Sequence, residues 1–494
     1  MGPIKDSRGL EQGGLLSSSE FQLVGNRELS AANDSGLGIY FGPIHVASDG
    51  AADDTVLFSH SKHGLQSLLN LSLKFCQDHG MEMVQSKTHL IELLPRGSEV
   101  PQDSKSILLN DSPIPPSEHV EHLGILRSNS LSNLSAIQDR IAKHKKALFP
   151  VLSCGAALGH NGNPAANLMV EKLYAAPVLY NGLGGLVLSK QELNILQSHQ
   201  TGILQQLMGL YPKTPYEAVS LLSAVAPAPA QVAIRMLSLF GMISRLGPSN
   251  ILFQIGLHQL RHQVSSSWFL AVQELTRQYL LPEVLHLLCH PLPKEQFRKL
   301  VKSKVLEFSH KKLCASVLQK SSLIFLRAEF LPLTSGPHPL WESCGSSRSA
   351  IKAAKIQAII LSGRYRDFKL LSKFNEGDSE TCKLPGCSAP VGDCTHLLSG
   401  ECLALKDALS LTLNYSLFLL NSSSPSLVPS VLSALQRSPL EWGKFIVDPS
   451  CDSQVVILRQ LYGSKFIWPL FRLSRAYIWC MHREKSKLLS KLAH

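Results

Sequence analysis

The sequence predicts an α+β fold in which short strands come first and helices take over. Three observations carry this. Between Ile39 and Phe58 the β-branched and aromatic residues fall in short runs: Ile39-Tyr40-Phe41, Pro43-Ile44-His45-Val46 and Thr55-Val56-Leu57-Phe58, with Ser48-Asp49-Gly50 supplying turn chemistry. From about residue 119 the pattern turns almost wholly helical, in amphipathic stretches separated by Gly and Pro breaks. Between Cys382 and Cys402, cysteines and a histidine gather among Gly and Pro, a metal-binding pattern rather than a disulfide framework.

The elements follow in order. Within residues 1–118 a helix is expected from about Lys62 to His79. Leu65, Leu68, Leu69, Leu73 and Cys76 share one face of it, and Gly80 stands where a C-cap belongs. Ser104 to Glu118, with Pro113, Pro115 and Pro116, reads as a linker or an excursion from the sheet. Residues 119–345 form a helical region: Ala136 to Leu148, Leu168 to Tyr180, Lys190 to Leu207, Val232 to Leu246 and Glu295 to Leu318. The last of these carries Arg298, Lys299, Lys302, Lys304, Lys311 and Lys312, either a solvated face or a nucleic-acid contact surface. Residues 346–405 hold a basic segment and then the cysteine cluster. Residues 406–494 are helical around a Ser/Pro loop at Ser422 to Pro429, ending in a helix with Arg475, Arg483, Lys485, Lys487 and Lys491.

Composition bounds the function class. The 494 residues carry 48 Lys and Arg against 37 Asp and Glu, a net +11, with pI near 9.1. That excess favours a polyanion as partner, nucleic acid before anionic membrane. Lys5, Asp6, Arg8 and Glu11 leave no apolar core for a secretory signal, so a nuclear or cytoplasmic location is expected. The uncharged stretch Ala218 to Ile234 has about the length of a membrane span. It holds Pro227 and Pro229, however, and reads as a helical hairpin in a core. There is no Walker loop, dinucleotide fingerprint, H-E-x-x-H or G-x-S-x-G, and Gly182-Leu183-Gly184-Gly185 reads as an interhelix turn.

The sharpest chemical signal is Ala51-Ala52-Asp53-Asp54-Thr55-Val56. Adjacent carboxylates repel, so a fold keeps them where a cation or solvent satisfies them. An isolated pair would be an exposed turn. This pair has company: Arg8-Gly9-Leu10-Glu11-Gln12-Gly13-Gly14 upstream, and Gly80-Met81, Lys87-Thr88 and His122-Leu123-Gly124-Ile125 downstream. In that order and spacing the motifs resemble the second half of the palm of a reverse transcriptase of the non-LTR retrotransposon (LINE) type.

The resemblance implies a truncated palm with a small antiparallel sheet, then a helical thumb. It makes Asp53 a ligand of catalytic Mg²⁺ and Asp54 its support. Gly9, Gln12, Gly13 and Gly14 would position template and nucleotide, Lys87 would assist pyrophosphate departure, and His122-Leu123-Gly124 would grip the primer. The chemistry is RNA-templated DNA synthesis by in-line phosphoryl transfer, with two Mg²⁺ about 3.5–4 Å apart. Ala51 and Val84 depart from the family pattern, which has an aromatic residue and Asn there. The strand bearing the first catalytic aspartate would precede Met1, so this chain itself is expected to be inactive.

Cys382-x4-Cys387-x8-His396-x5-Cys402 offers three thiolates and an imidazole, a tetrahedral set for structural Zn²⁺, with Cys394 a spare candidate. Pro385-Gly386 supplies a turn that aims the first two sulfurs at one point. With Ser362-Gly363-Arg364-Tyr365-Arg366 before it, the cluster is similar to the C-terminal zinc knuckle of the same polyproteins. Arg364 and Arg366 then become phosphate contacts, and Tyr365 a platform on which a base stacks. RNA and DNA are the implied partners, with no membrane. Two alternatives stay open: a non-enzymatic RNA- or DNA-binding remnant using thumb and knuckle, and a helical scaffold with no nucleic-acid partner.

Overall fold

The computed structural model of the chain describes residues 17–93, 106–130, 132–153, 162–373 and 379–492. Over these residues the architecture is α+β, with four separate two-stranded antiparallel ribbons followed by helices. The chain divides into two compact units that interleave along the sequence. One comprises Met1–Asp139, Leu239–Glu274 and Pro282–Leu292, and the other Arg140–Ser238, Leu275–Leu281 and Pro293–His494.

In the first unit, helix α1 (Ser17–Asp34) precedes ribbons β1–β2 (Ile39–Phe41, Ile44–Val46) and β3–β4 (Ser48–Ala51, Asp54–Leu57). Ser48-Asp49-Gly50, expected as turn, is strand β3, paired to β4 from Ser48↔Leu57 to Ala51↔Asp54. Asn33 explains why: its amide oxygen accepts from the backbone N–H groups of Ala47 (2.8 Å) and Ser48 (3.2 Å), docking α1 on the strand. Turn-forming residues are thus held extended by a side chain far outside any local window.

Helix α2 (Lys62–Asp78) forms as expected, capped by the Ser61 hydroxyl, which accepts from Gly64 N at 3.0 Å. It ends in a Schellman turn. Gly80 sits at φ +66°, with Gly80 N–H bonded to Gln77 O and Met81 N–H to Cys76 O. Within Ser104 to Glu118, read as a linker or an excursion from the sheet, residues 107–114 form a ribbon of their own, β5–β6 (Ile107–Leu109, Ser112–Ile114). Its Ile107, Leu109 and Ile114 join Leu69 and Leu90 in a buried cluster, and that apolar triplet outweighs Pro113. Gln66 completes the ribbon's edge, accepting from Leu108 N (2.7 Å) and donating to Leu108 O (2.9 Å). Ribbon β7–β8 (His119–His122, Ile125–Ser128) follows.

The second unit is helical. Leu196, Leu204, Leu207, Ala218, Leu222, Trp341, Ala358 and Phe471 are among its fully buried residues. Long-range bonds fix it: Trp341 Nε1–H donates to Leu222 O (3.2 Å), and Gln357 Nε2–H to Val447 O (2.6 Å). The apolar stretch around residues 218–234 is a bent pair of helices, Tyr216–Ser223 and Ala228–Ile243, at 58° to one another. No single helix among the described residues is long and apolar enough to cross a membrane.

The C-terminal helix Trp468–Leu492 is less basic on its surface than its sequence suggests. Arg475 is buried, donating to the hydroxyl (2.6 Å) and carbonyl (3.0 Å) of Ser343. Lys485 is buried too, its Nζ bonded to Arg366 O and lying over the Tyr365 ring at 4.8 Å.

Candidate metal centre and the other selected residues

Leu384-Pro385-Gly386-Cys387 closes a turn in which Cys387 N–H donates to Leu384 O (3.1 Å). Pro fixes φ at the second position and Gly386 takes φ +75° at the third, the requirement of a type II turn. The segment folds back so that Cys382 N–H donates to Ala389 O (3.1 Å). Gly392 can be nothing larger, since a Cβ there would lie 2.7 Å from Phe368 and 2.9 Å from the Cys382 backbone. Asp393 then caps the helix Cys394–Leu398, accepting from His396 N at 3.0 Å, which sets the imidazole in the first turn. The far end of that helix is held at Leu398 O by Trp442 Nε1–H (3.1 Å) and the Tyr477 hydroxyl (2.9 Å).

These turns bring Cys382, Cys387, His396 and Cys402 together, their ligand atoms all within 4.8 Å of one another. Cys382 Sγ lies 3.9 Å from Cys402 Sγ, and Cys387 Sγ lies 3.3 Å from His396 Nε2. With Zn–S bonds of 2.3 Å, a tetrahedron has S···S edges of about 3.8 Å and S···N edges of about 3.6 Å. The Cys3His set can therefore hold a metal ion and is compatible with zinc.

Electrostatics agree. Burial, reinforced by the neighbouring sulfurs, pushes the Cys402 thiol up to about 12, and burial raises Cys382. At Cys387 burial also raises, but donors including the Ala389 N–H outweigh it and the thiol falls below its ordinary value. Burial lowers His396, leaving a neutral imidazole able to ligate. Three crowded thiols that resist ionising together are relieved by one divalent cation.

Cys394 does not join them. Its N–H donates to Asp367 Oδ2 (2.9 Å), and its buried thiol is held protonated by burial and by that carboxylate. Asp367 also caps Phe368–Ser372, and Phe368 N–H donates to Gly392 O (3.0 Å), so the metal segment is tied to residues 367 and 368.

The remaining selected residues separate. Asp53 lies in the two-residue turn joining β3 and β4, beside Ala52 at φ +58°, and Asp54 opens β4; both are exposed. Among the described residues no third carboxylate, histidine or cysteine joins them in a cluster fit for a metal. Lys87 is exposed at the end of the 3₁₀ turn Gln85–Lys87. His122 ends β7, with Leu123 (φ +50°) and Gly124 (φ +73°) forming the hairpin turn. Gly9, Gln12, Gly13 and Gly14 lie outside the described residues.

Tyr365 corrects an expectation. It is 6% exposed, its hydroxyl 3.2 Å from His482 Nδ1, and a base has no access to its ring. Arg364 donates to Lys213 O, and Gly363 packs so closely on Ser322 that a Cβ there would meet its carbonyl oxygen at 2.1 Å. Arg366 is exposed, its guanidinium 5.6 Å above the Tyr211 ring. On the helix Lys294–Leu318, Arg298, Lys299 and Lys302 are exposed and Lys304 is half-buried.

Two buried constellations escape any reading of local spacing. His338 Nε2 meets Asp448 Oδ2 at 2.9 Å across 110 positions, with Ser450 and Cys451 also donating to Asp448. His144 Nδ1 lies 2.9 Å from His199 Nε2, and its Nε2 lies 3.8 Å from Glu171 Oε1, where the helix loosens into a π turn over Glu171–Ala175.

No family model matches the chain, and no solved structure matches it. Over 96 residues, 19% of its length, the chain is 32% identical to the retrovirus-related Pol polyprotein from type-1 retrotransposable element R2 of Nasonia vitripennis. The match spans 9% of that polyprotein, and it supports a retrotransposon origin for this chain.

Proposed function

We propose that this retrotransposon-derived chain is a zinc-stabilised nucleic-acid-binding protein, and that its Cys3His centre is structural. One observation carries the reading: four ligand atoms converge within 4.8 Å in a segment hydrogen-bonded to Asp367 and Phe368, next in sequence to the exposed Arg366. No open coordination position is needed for such a role, since four protein ligands close a tetrahedral site. Arg366 and the exposed Arg298, Lys299 and Lys302 then contact phosphate oxygens of RNA or DNA. Contacts of this kind release counterions and position a strand without reading its sequence.

The test is anisotropy of labelled RNA across a salt series. Replacing Arg298, Lys299 and Lys302 together by alanine should reduce the log–log salt slope by about two units, at roughly 0.7 per contact on a single strand. An unchanged slope would remove this face from the binding surface.

A second reading is favoured by the β3–β4 hairpin, which presents Asp53 and Asp54 at and beside its tip. Here Asp53 holds catalytic Mg²⁺, supported by Asp54. Lys87, the loop of Gly9, Gln12, Gly13 and Gly14, and the turn His122-Leu123-Gly124 serve pyrophosphate, template and primer. Templated primer extension tests it.

A further inference from the structure

The helix Lys406–Ser423 is apolar on two faces, and the fold covers one of them. Its inner face, with Leu409, Ser416 and Leu420 buried, packs on the C-terminal helix Trp468–Leu492, where the Cys480 thiol reaches Ala408 O at 3.6 Å. Its outer face carries Leu411, Tyr415 and Phe418 at i, i+4 and i+7, which places them on one side of the helix. Leu411 is 74% exposed, Tyr415 63% and Phe418 67%, with Leu419 beside them at 47%. A helix that is apolar all round belongs in a setting where it is covered all round. A contiguous apolar patch on this scale is a common mark of a contact surface.

We infer that this face is the contact between two copies of the chain, paired antiparallel about a two-fold axis that crosses the helix between Asn414 and Tyr415. Charge favours a second copy. A chain of net +11 repels itself wherever its basic faces meet, and no charged residue or histidine falls between Ala408 and Gln436. The residue pattern is self-complementary, as a two-fold contact requires. Reversing the helix about that axis sets Leu411 on Phe418 of the other copy, and Tyr415 beside Asn414, whose amide accepts from the phenol hydroxyl. Asp407, four residues before Leu411, then stands about 22 Å from its copy, beyond the screening length. The area suffices. At 150–250 Å² for a buried aromatic side chain, these four expose roughly 500 Å² per copy and roughly 1,000 Å² per pair, the size at which a specific contact holds. A nucleic-acid strand fits poorly, because strands stack on aromatics beside cationic side chains, and this stretch has no Lys or Arg. The inference is independent of the metal and nucleic-acid readings.

The full chain, treated with nuclease, is followed by sedimentation equilibrium from about 1 to about 100 µM, where contacts of this size associate. Its weight-average mass should rise from 54.1 kDa toward twice that value. The rise should persist in about 0.5 M NaCl, which weakens phosphate contacts. Leu411→Glu with Phe418→Glu should stay monomeric throughout, an association about a hundredfold weaker or worse. Its melting temperature should hold, because both side chains are exposed. Leu411→Glu and Phe418→Lys should each weaken self-association alone, and their equimolar mixture should recover dimers, since the two positions meet across the axis. A wild-type chain that stays monomeric, a double variant that dimerises like the wild type, or a mixture no stronger than either single variant would each overturn the assignment. So would wild-type chain that floats with phosphatidylcholine vesicles instead of dimerising, which would give the face to a lipid surface.

Discussion

The segment from Cys382 to Cys402 and the hairpin carrying Asp53 and Asp54 both announce themselves by residue type, and they fold to opposite ends. In the first, four ligands spread over twenty-one positions converge, because a type II turn, a glycine contact and a helix cap each fix one approach. In the second, two adjacent carboxylates sit on an exposed two-residue turn and the strand it opens, with no further ligand joining them among the described residues. Adjacency does not make a site. A site needs several ligand-bearing segments returned to the same point; the cysteine segment brings four ligands together, whereas the hairpin's ladder returns the chain with only its two adjacent carboxylates at the turn.

The largest way to break that comparison is to remove the metal. A structural ion binds the folded segment and not the unfolded one, so its affinity becomes folding free energy, on the order of 10 kcal/mol for zinc in small domains. Cys402→Ala, at a fully buried ligand, should abolish stoichiometric zinc and lower the melting temperature of the second unit. Cys394→Ser should retain zinc, since its neighbour is Asp367. Elemental analysis decides both. Absence of zinc from protein prepared without chelator, or its loss in Cys394→Ser, would reverse the contrast between the two regions.

Next in size is Tyr365. Truncating a buried aromatic costs about 3 kcal/mol, so Tyr365→Ala should lower the unfolding free energy extrapolated from a denaturant titration by that amount. It should not alter the ratio of single-strand to duplex binding per folded molecule. A selective loss on single strands at unchanged stability would restore the stacking role that its burial argues against.

Asp448 sharpens the point that convergence can be invisible in sequence. Burial alone would raise its carboxyl, but His338, Cys451 and Ser450 outweigh that and hold it at about 2. A carboxylate with a depressed folded value contributes stability above its unfolded value near 3.9, and loses it as pH falls toward 2. The shift is worth about 2 kcal/mol. Asp448→Asn should flatten the acid limb of a stability–pH curve between about pH 4 and 2. An unaltered limb would mean that other carboxylates govern acid unfolding.

How much of this was legible in the sequence follows the range of the interactions. Helix Lys62–Asp78 and its glycine stop could be read from apolar spacing, because capping and amphipathicity act within a turn or two. The metal ligands could be read because their turns are short and carry Pro and Gly. Strand β3 could not, since Asn33 enforces it from fifteen positions away. The ribbon at Ile107–Ile114 was masked by Pro113 and the two prolines after it, its apolar triplet gaining meaning only against Leu69 and Leu90. Tyr365, flanked by two arginines, looked like a binding motif, yet the residues that bury it lie over a hundred positions on. Arg475 and Lys485 misled likewise: a charge run reports composition, not which members the core takes in.

The smallest expected effect falls at the other pole of the comparison. Asp53→Asn and Asp54→Asn should change stability by less than about 0.5 kcal/mol, since both are exposed and their side chains have no hydrogen-bond or ion-pair partner among the described residues. Removing like charges from adjacent positions would, if anything, relieve repulsion. Catalysis demands more than the pair. Two Mg²⁺ must be held at reacting distance, and no third ligand stands beside Asp53 and Asp54 among the described residues. The purified chain should therefore give no templated nucleotide incorporation with Mg²⁺ or Mn²⁺, and the two variants should be indistinguishable from it. Primer extension abolished by Asp53→Asn would sink this expectation. It would show that the hairpin acquires its missing ligand when primer and template bind, and would give the palm reading precedence over the metal-centred one.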